Sequence, residues 1–156
     1  IMANFSEIAN KKLADVERPA IPPVGMYRWQ VTKMPVIEDV ANGDYTNITI
    51  PCKAVEAYDN VDTDDLQKFG GLKNVISSKR FLYDNKDATK GGQTEFQIRQ
   101  FLEKHCAIEG VEAMTIGQAL AASLNAQFDG EMKHRADKND PELKYAEVAK
   151  TAPIRE

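Results

Sequence analysis

Two periodicities divide the chain. Near the N-terminus, apolar residues recur at helical spacing. Phe5, Ala9, Leu13 and Val16 fall on one stripe, Asn4 stands at the N-cap and Glu7 at the capping-box position, which predicts a helix over residues 4–16. Arg18-Pro19-Ala20-Ile21-Pro22-Pro23 then breaks any helix, because proline lacks an amide proton and restricts the residue before it. After Gly25 the period changes to two. Tyr27, Trp29 and Val31 alternate with Arg28, Gln30 and Thr32, the pattern of a half-buried strand over residues 26–33. Met34-Pro35 ends or bulges it, and Asn42-Gly43-Asp44 marks a turn.

Four more strand windows follow the same logic. In residues 45–55, Ile48, Ile50, Cys52 and Ala54 share a face; Pro51 donates no ladder hydrogen bond, which predicts an edge or a bulge there. Residues 75–83 form the third window. Residues 126–135 carry Phe128, Met132 and His134 on one face, with Lys133 and Arg135 on the other. The turn signal Asp137-Lys138-Asn139-Asp140-Pro141 joins them to a partner strand at 143–150 around Tyr145 and Val148.

Helices are expected between these strands. Asp62 caps a short one that Gly70-Gly71 ends, and Asp65 supports its first turn. The acidic spacing around Asp62, Asp64 and Asp65 also suggests calcium, but glycine and glutamate are missing from the positions an EF-hand loop requires. Residues 84–92 read as a mobile polar loop. Thr94 with Gln97 forms a capping box for a helix whose apolar side is Phe96, Ile98, Phe101, Leu102 and His105. Thr115 with Gln118 opens another, carrying Ile116, Ala119, Leu120 and Leu124.

The predicted fold is mainly β with α: an OB-fold-like, five-stranded, partly open barrel with a helical insert between strands three and four, plus an N-terminal helix. An antiparallel sheet with helices on one side is the nearest competitor. The length of 156 residues suits a helical arm at 2–18 and one domain at 19–156. Met2 is read as the native start and Ile1 as extraneous; no signal peptide is expected. No apolar run reaches the roughly 18–20 residues of a membrane-spanning helix.

Charge sharpens the picture. The five windows hold nine basic residues and three acidic ones, a balance of +6 in a chain whose net charge is −4. A basic sheet in an acidic protein suits a polyanion bound at one place. Aromatic residues interleave with these cations, and single-stranded nucleic acid is bound by that combination of backbone neutralisation and base stacking. Arg28, Lys53, Lys79, Arg80, Lys133 and Arg135 are the candidate backbone contacts. Trp29, Phe81 and Tyr83 are stacking candidates that could equally be core.

The search for chemistry is short. There is no P-loop, no Gly-x-Ser-x-Gly elbow and no paired zinc-ligand spacing, so no catalytic residue, metal or cofactor is expected. Cys52 and Cys106 are too few for a disulfide framework and point to a reduced, cytosolic chain, although one bridge remains open. Cys106 reads as a buried helix-end thiol, His134 as a packed, hydrogen-bonded histidine.

Pro23-Val24-Gly25-Met26-Tyr27-Arg28-Trp29-Gln30-Val31, Phe96-Gln97-Ile98-Arg99-Gln100-Phe101-Leu102, Thr115-Ile116-Gly117-Gln118-Ala119-Leu120, Phe128-Asp129-Gly130-Glu131-Met132-Lys133-His134-Arg135 and Tyr145-Ala146-Glu147-Val148 together carry a resemblance. Over about residues 19–154 the chain resembles the OB-fold single-stranded-DNA-binding proteins of bacteriophage replication and recombination modules. The resemblance implies non-catalytic coating of single strands in the cytoplasm of an infected bacterial host, with replication or recombination proteins as partners; monomer and homo-oligomer both stay open. The chain departs from many replicative single-strand binders in ending Thr151-Ala152-Pro153-Ile154-Arg155-Glu156 rather than in an acidic tail. The alternative from another class is a structural or assembly protein of a phage particle.

Overall fold

The computed structural model describes residues 5–16 and 20–155. Six strands form one antiparallel sheet: β1 (Gly25–Val31), β2 (Val36–Val40), β3 (Tyr45–Ala57), β4 (Ile76–Asp84), β5 (Gln127–Ala136) and β6 (Lys144–Ala152). The order is β2-β3-β1-β5-β6, with β4 on the other edge of β3. The helices are α1 (Phe5–Ala9), α2 (Thr63–Phe69), α3 (Ala88–Gln100) and α4 (Ile116–Ala122). The fold is mainly β, and its sheet is not closed. β4 and β6 lie side by side; the Lys79 ammonium donates to the Ala149 carbonyl at 3.1 Å, but among the described residues no ladder joins the two strands.

The alternation seen in the sequence builds the core. Tyr27, Trp29 and Val31 are fully buried on one face of β1, while Met26, Arg28 and Gln30 are half-buried on the other. Ile48, Ile50, Cys52 and Ala54 supply the inner face of β3, and Phe128 and Met132 that of β5. Phe101 stands edge-on to Phe81 and Phe128, with ring centroids 5.7 and 4.9 Å away, a geometry that aromatic quadrupoles favour.

β2 is a sixth strand that the sequence pattern did not mark. All five of its residues are exposed; it pairs with the first five residues of β3, of which only Ile48 is buried. With neither face buried, no selection for alternation acts on Val36-Ile37-Glu38-Asp39-Val40. Pro51 lies at neither an edge nor a bulge: β3 is flanked on both sides. On one edge β2 pairs as far as Thr49 and β1 begins at Cys52, so the missing amide proton falls in the gap between them. The Pro51 carbonyl accepts from Thr32 N at 3.0 Å on that same edge.

Two helices differ from expectation, one at its end and one at its start. α1 stops at Ala9, and only a 3-10 turn at Leu13–Asp15 follows; the Asn4 cap and the break at Arg18-Pro19 lie outside the described residues. α3 begins within the expected loop. Asp87 caps it, its carboxylate accepting from Thr89 N at 3.0 Å and Lys90 N at 3.2 Å. Thr94 is inside the helix, where its hydroxyl donates back to the Lys90 carbonyl at 3.2 Å, so it caps nothing. Phe96 is 60% exposed rather than part of the apolar side.

The end of α3 widens into a π turn at Phe101–His105, closed by Cys106 N donating to the Phe101 carbonyl at 2.8 Å. The wider turn buries two consecutive side chains, Phe101 and Leu102. It also sets His105 Nδ1 2.7 Å from the Thr151 hydroxyl on β6. The capping box of Thr115 and Gln118 forms reciprocally at 3.0 and 3.1 Å, and Asp62 caps α2 by accepting from Asp65 N at 2.9 Å. Ile116 and Leu124 stay largely exposed; Ala119 and Leu120 do the packing.

Candidate nucleic-acid interface

The unclosed seam between β4 and β6 is a groove of about 780 Å³. It brings together three of the expected cations, Lys79, Arg80 and Arg135, beside Tyr145. Strand period explains the set. On β4, Phe81 faces the core, so Arg80 faces out. On β5 and β6, Met132 and Val148 face in, so Arg135 and Tyr145 face out, directly opposite each other in the ladder. The Arg135 guanidinium stands 5.8 Å from the Tyr145 ring centroid and 3.5 Å from Glu147. Glu147 is the acidic member of the groove. Its pairing with Arg135 is half-exposed, and such surface pairs contribute about 0–1 kcal/mol, so it holds the guanidinium only weakly.

Lys79 plays a different part from Arg80. It lies on the core-facing side of β4, with its ammonium 5.0 Å from the Phe81 ring and bonded to the Ala149 carbonyl. Burial pulls its pKa below the usual lysine range, against the attraction of Glu147. It spans the seam that Arg80 and Arg135 line. Lys133 is exposed on β5 opposite Glu147, and Lys53 is exposed on β3 opposite Ile76, itself a wall of the groove.

The other expected site residues are not brought here. Trp29 is fully buried and its indole N–H donates to the Gly130 carbonyl at 3.0 Å; Phe81 is 6% exposed. Neither offers a ring face to a base, so both are core. Tyr83 is half-buried at the far end of β4, packed over Gly91 of α3, with its hydroxyl donating to Glu95 at 3.2 Å. Arg28 is already engaged. Its Nε donates to the Tyr58 hydroxyl at 3.1 Å, its Nη2 to the Arg155 carbonyl at 2.8 Å, and it lies 3.5 Å from Glu56 and 3.8 Å from the buried Asp129. Asp129 also accepts from Tyr58 at 2.6 Å and from Arg155 N at 3.0 Å, so the cluster clasps the C-terminal segment to the sheet.

Tyr145 is one of the strand aromatics able to stack on a base, but the sequence does not single it out among the site residues. It lies three residues from the buried Val148, on the opposite face of the strand, and is 43% exposed. The charge balance also changes with the true boundaries. The six strands hold eight basic and seven acidic residues, a net of +1 rather than +6. β2 contributes Glu38 and Asp39, the longer β3 and β4 add Glu56 and Asp84, and Lys33 falls outside any strand. The positive charge is therefore local to the seam and not spread over the sheet.

Both cysteines are buried and unpaired with each other, and burial pushes each thiol up to about 12. A thiol that stays protonated at neutral pH is a poor nucleophile. His134 is exposed, with Nε2 2.6 Å from the Pro22 carbonyl. Among the described residues, no three His, Cys, Asp or Glu side chains are grouped to hold a metal ion, and no helix is long and apolar enough to cross a membrane. No protein-family model, curated protein or solved structure matches the chain.

Proposed function

We propose that this chain is an OB-type barrel that binds single-stranded DNA without chemistry of its own, in phage replication or recombination. The strand order supports the fold. With β2 set aside, β4-β3-β1-β5-β6 is the five-strand OB order, with α3 and α4 inserted between the third and fourth barrel strands and the opening between the third and fifth. β2 then elaborates the first connection. The observation that carries the function is the convergence of Arg80 and Arg135 with the exposed Tyr145 ring in one groove. Phosphates would meet the two guanidiniums and a base would stack on Tyr145, with Lys133 and Lys53 flanking the track. A tyrosine face serves any base, so binding tolerates sequence.

The test is a titration of labelled single- and double-stranded oligonucleotides at two salt concentrations. Tighter binding of the single strand, weakening as salt rises, supports the proposal. Absent or salt-independent binding returns the chain to the structural alternative, for which the exposed apolar residues of β2 would be subunit contacts.

A further inference from the structure

The core-facing side of the seam carries a second basic group behind Lys79. From the Lys79 ammonium the contacts run inward through aromatic rings. It stands 5.0 Å from the Phe81 centroid; Phe81 lies 5.7 Å from Phe101, and Phe101 6.3 Å from His105, centroid to centroid. The π turn sets the His105 imidazole against β6, with Nδ1 2.7 Å from the Thr151 hydroxyl. Lys79 reaches the same strand two residues earlier, at the Ala149 carbonyl. Both basic groups therefore meet one short stretch of β6, next to the groove that Arg80 and Arg135 line.

The contact with Thr151 suits either charge state of the ring. A threonine hydroxyl donates to a neutral Nδ1 and accepts from a protonated one, so His105 gains a proton in place. Burial opposes that proton first and the Lys79 ammonium second. The other charged groups nearby are engaged elsewhere. On β6, Glu147 pairs with Arg135 and attracts Lys79, and Lys150 is exposed. On the turn itself, Glu103 is held by Arg99 of α3 and by Lys104, and with Glu112 it lines a separate cleft between α3 and α4. β5 presents the uncharged Phe128 to the turn. Among the described residues, Lys79 is thus the charge that acts on the ring.

A polyanion in the groove reverses the balance. Its phosphates offset the repulsion from Lys79 and favour the imidazolium, and charges in a part-buried site are screened by salt much less than exposed ones. We propose, on the reading that single-stranded DNA occupies this groove, that His105 takes up a proton as the strand binds, so that affinity rises as pH falls. Linkage makes the effect reciprocal: the strand raises the His105 pKa by the factor through which protonation tightens the strand.

The test uses the full-length chain and rhodamine-labelled oligothymidylate, whose bases and phosphates keep one charge state from pH 5.5 to 7.5. Binding is measured across that range at constant salt, with circular dichroism to verify the fold at each pH. The wild type should bind about fivefold tighter at pH 5.5 than at pH 7.5, the weak end of ordinary coupling between sites. His105→Gln should flatten the profile, whereas His134→Gln, which removes the other histidine of the chain, should keep it. Proton NMR of the two imidazoles supplies a reading on the unaltered protein: saturating oligothymidylate should raise the His105 pKa. A His105 pKa unmoved by the strand, or the same pH profile in His105→Gln, overturns the proposal. If the strand still binds, and binds less well in the Arg80→Ala, Arg135→Ala double variant, the failure belongs to His105 alone. No binding at any pH removes the groove reading and this inference with it.

Discussion

Trp29 and Tyr145 show how two aromatic side chains are sorted by their neighbours. Trp29 shares a strand face with Tyr27 and Val31, and all three are sealed in the core; Tyr145 lies on the face opposite the buried Val148 and pairs across the ladder with Arg135. Trp29→Ala is therefore expected to cost about 3–5 kcal/mol of unfolding free energy. Its emission should be unquenched on adding oligonucleotide. Tyr145→Ala should leave the melting temperature alone and weaken single-strand binding by about 1–3 kcal/mol. Thermal melts and anisotropy on the two variants separate these roles; quenching of Trp29 by a bound strand would reverse the assignment. Gly130 gives a second check at this scale. A Cβ there would lie 2.7 Å from Val148 Cγ1 and 3.0 Å from the Trp29 ring, with the Trp29 indole bonded to the same residue's carbonyl. Gly130→Ala should cost about 1–3 kcal/mol, the usual range for overpacking, measured by urea denaturation. An unchanged midpoint would mean that this contact relaxes freely.

Among the elements, legibility in the sequence followed burial. Strands with one buried face declared themselves by alternation, and the Asp62 and Thr115 caps by residue type and spacing. β2 was invisible because both its faces are wet. The start of α3 was hidden for a related reason: Ala88 to Gln93 is small and polar, Gly91 and Gly92 mimic a loop, and the true cap is Asp87. Asp87→Ala should destabilise by about 0.5–2 kcal/mol, whereas Thr94→Ala should cost less than this, since its exposed hydroxyl caps no amide and makes only a back-bond to Lys90 and a long contact, 3.4 Å, to the Leu82 carbonyl. Chemical denaturation of the pair ranks them; equal losses would restore Thr94 to the cap. The π turn adds a pH dependence. Burial, with repulsion from Lys79, holds the His105 pKa below its ordinary value near 6.5. The unfolded chain then binds more protons between the two values, so stability rises with pH and is lost as pH falls below about 6.5. The urea midpoint should drop between about pH 7.5 and 5.5, and part of that drop should vanish in His105→Gln. An identical drop in the variant would remove His105 as its source.

At the scale of the molecule, the order of the elements other than β2 is readable in the sequence and the seam is not. Where the sheet stays open depends on the meeting of β4 and β6, far apart in the chain, and no local pattern encodes that. The count of cations on strands pointed toward a polyanion, but counted by the observed strands it nearly cancels; what remains is a cluster of Lys79, Arg80 and Arg135 set by the seam. That cluster makes the central claim quantitative. Binding a single strand releases counterions in proportion to the phosphates neutralised, with a log–log salt slope of about −0.7 for each. The most direct measurement is this slope for the wild type against the double variant Arg80→Ala, Arg135→Ala. The account predicts weaker binding and a slope shallower by about 1.4, with the melting temperature preserved because both side chains are exposed. An unchanged slope and affinity in a folded double variant would contradict it.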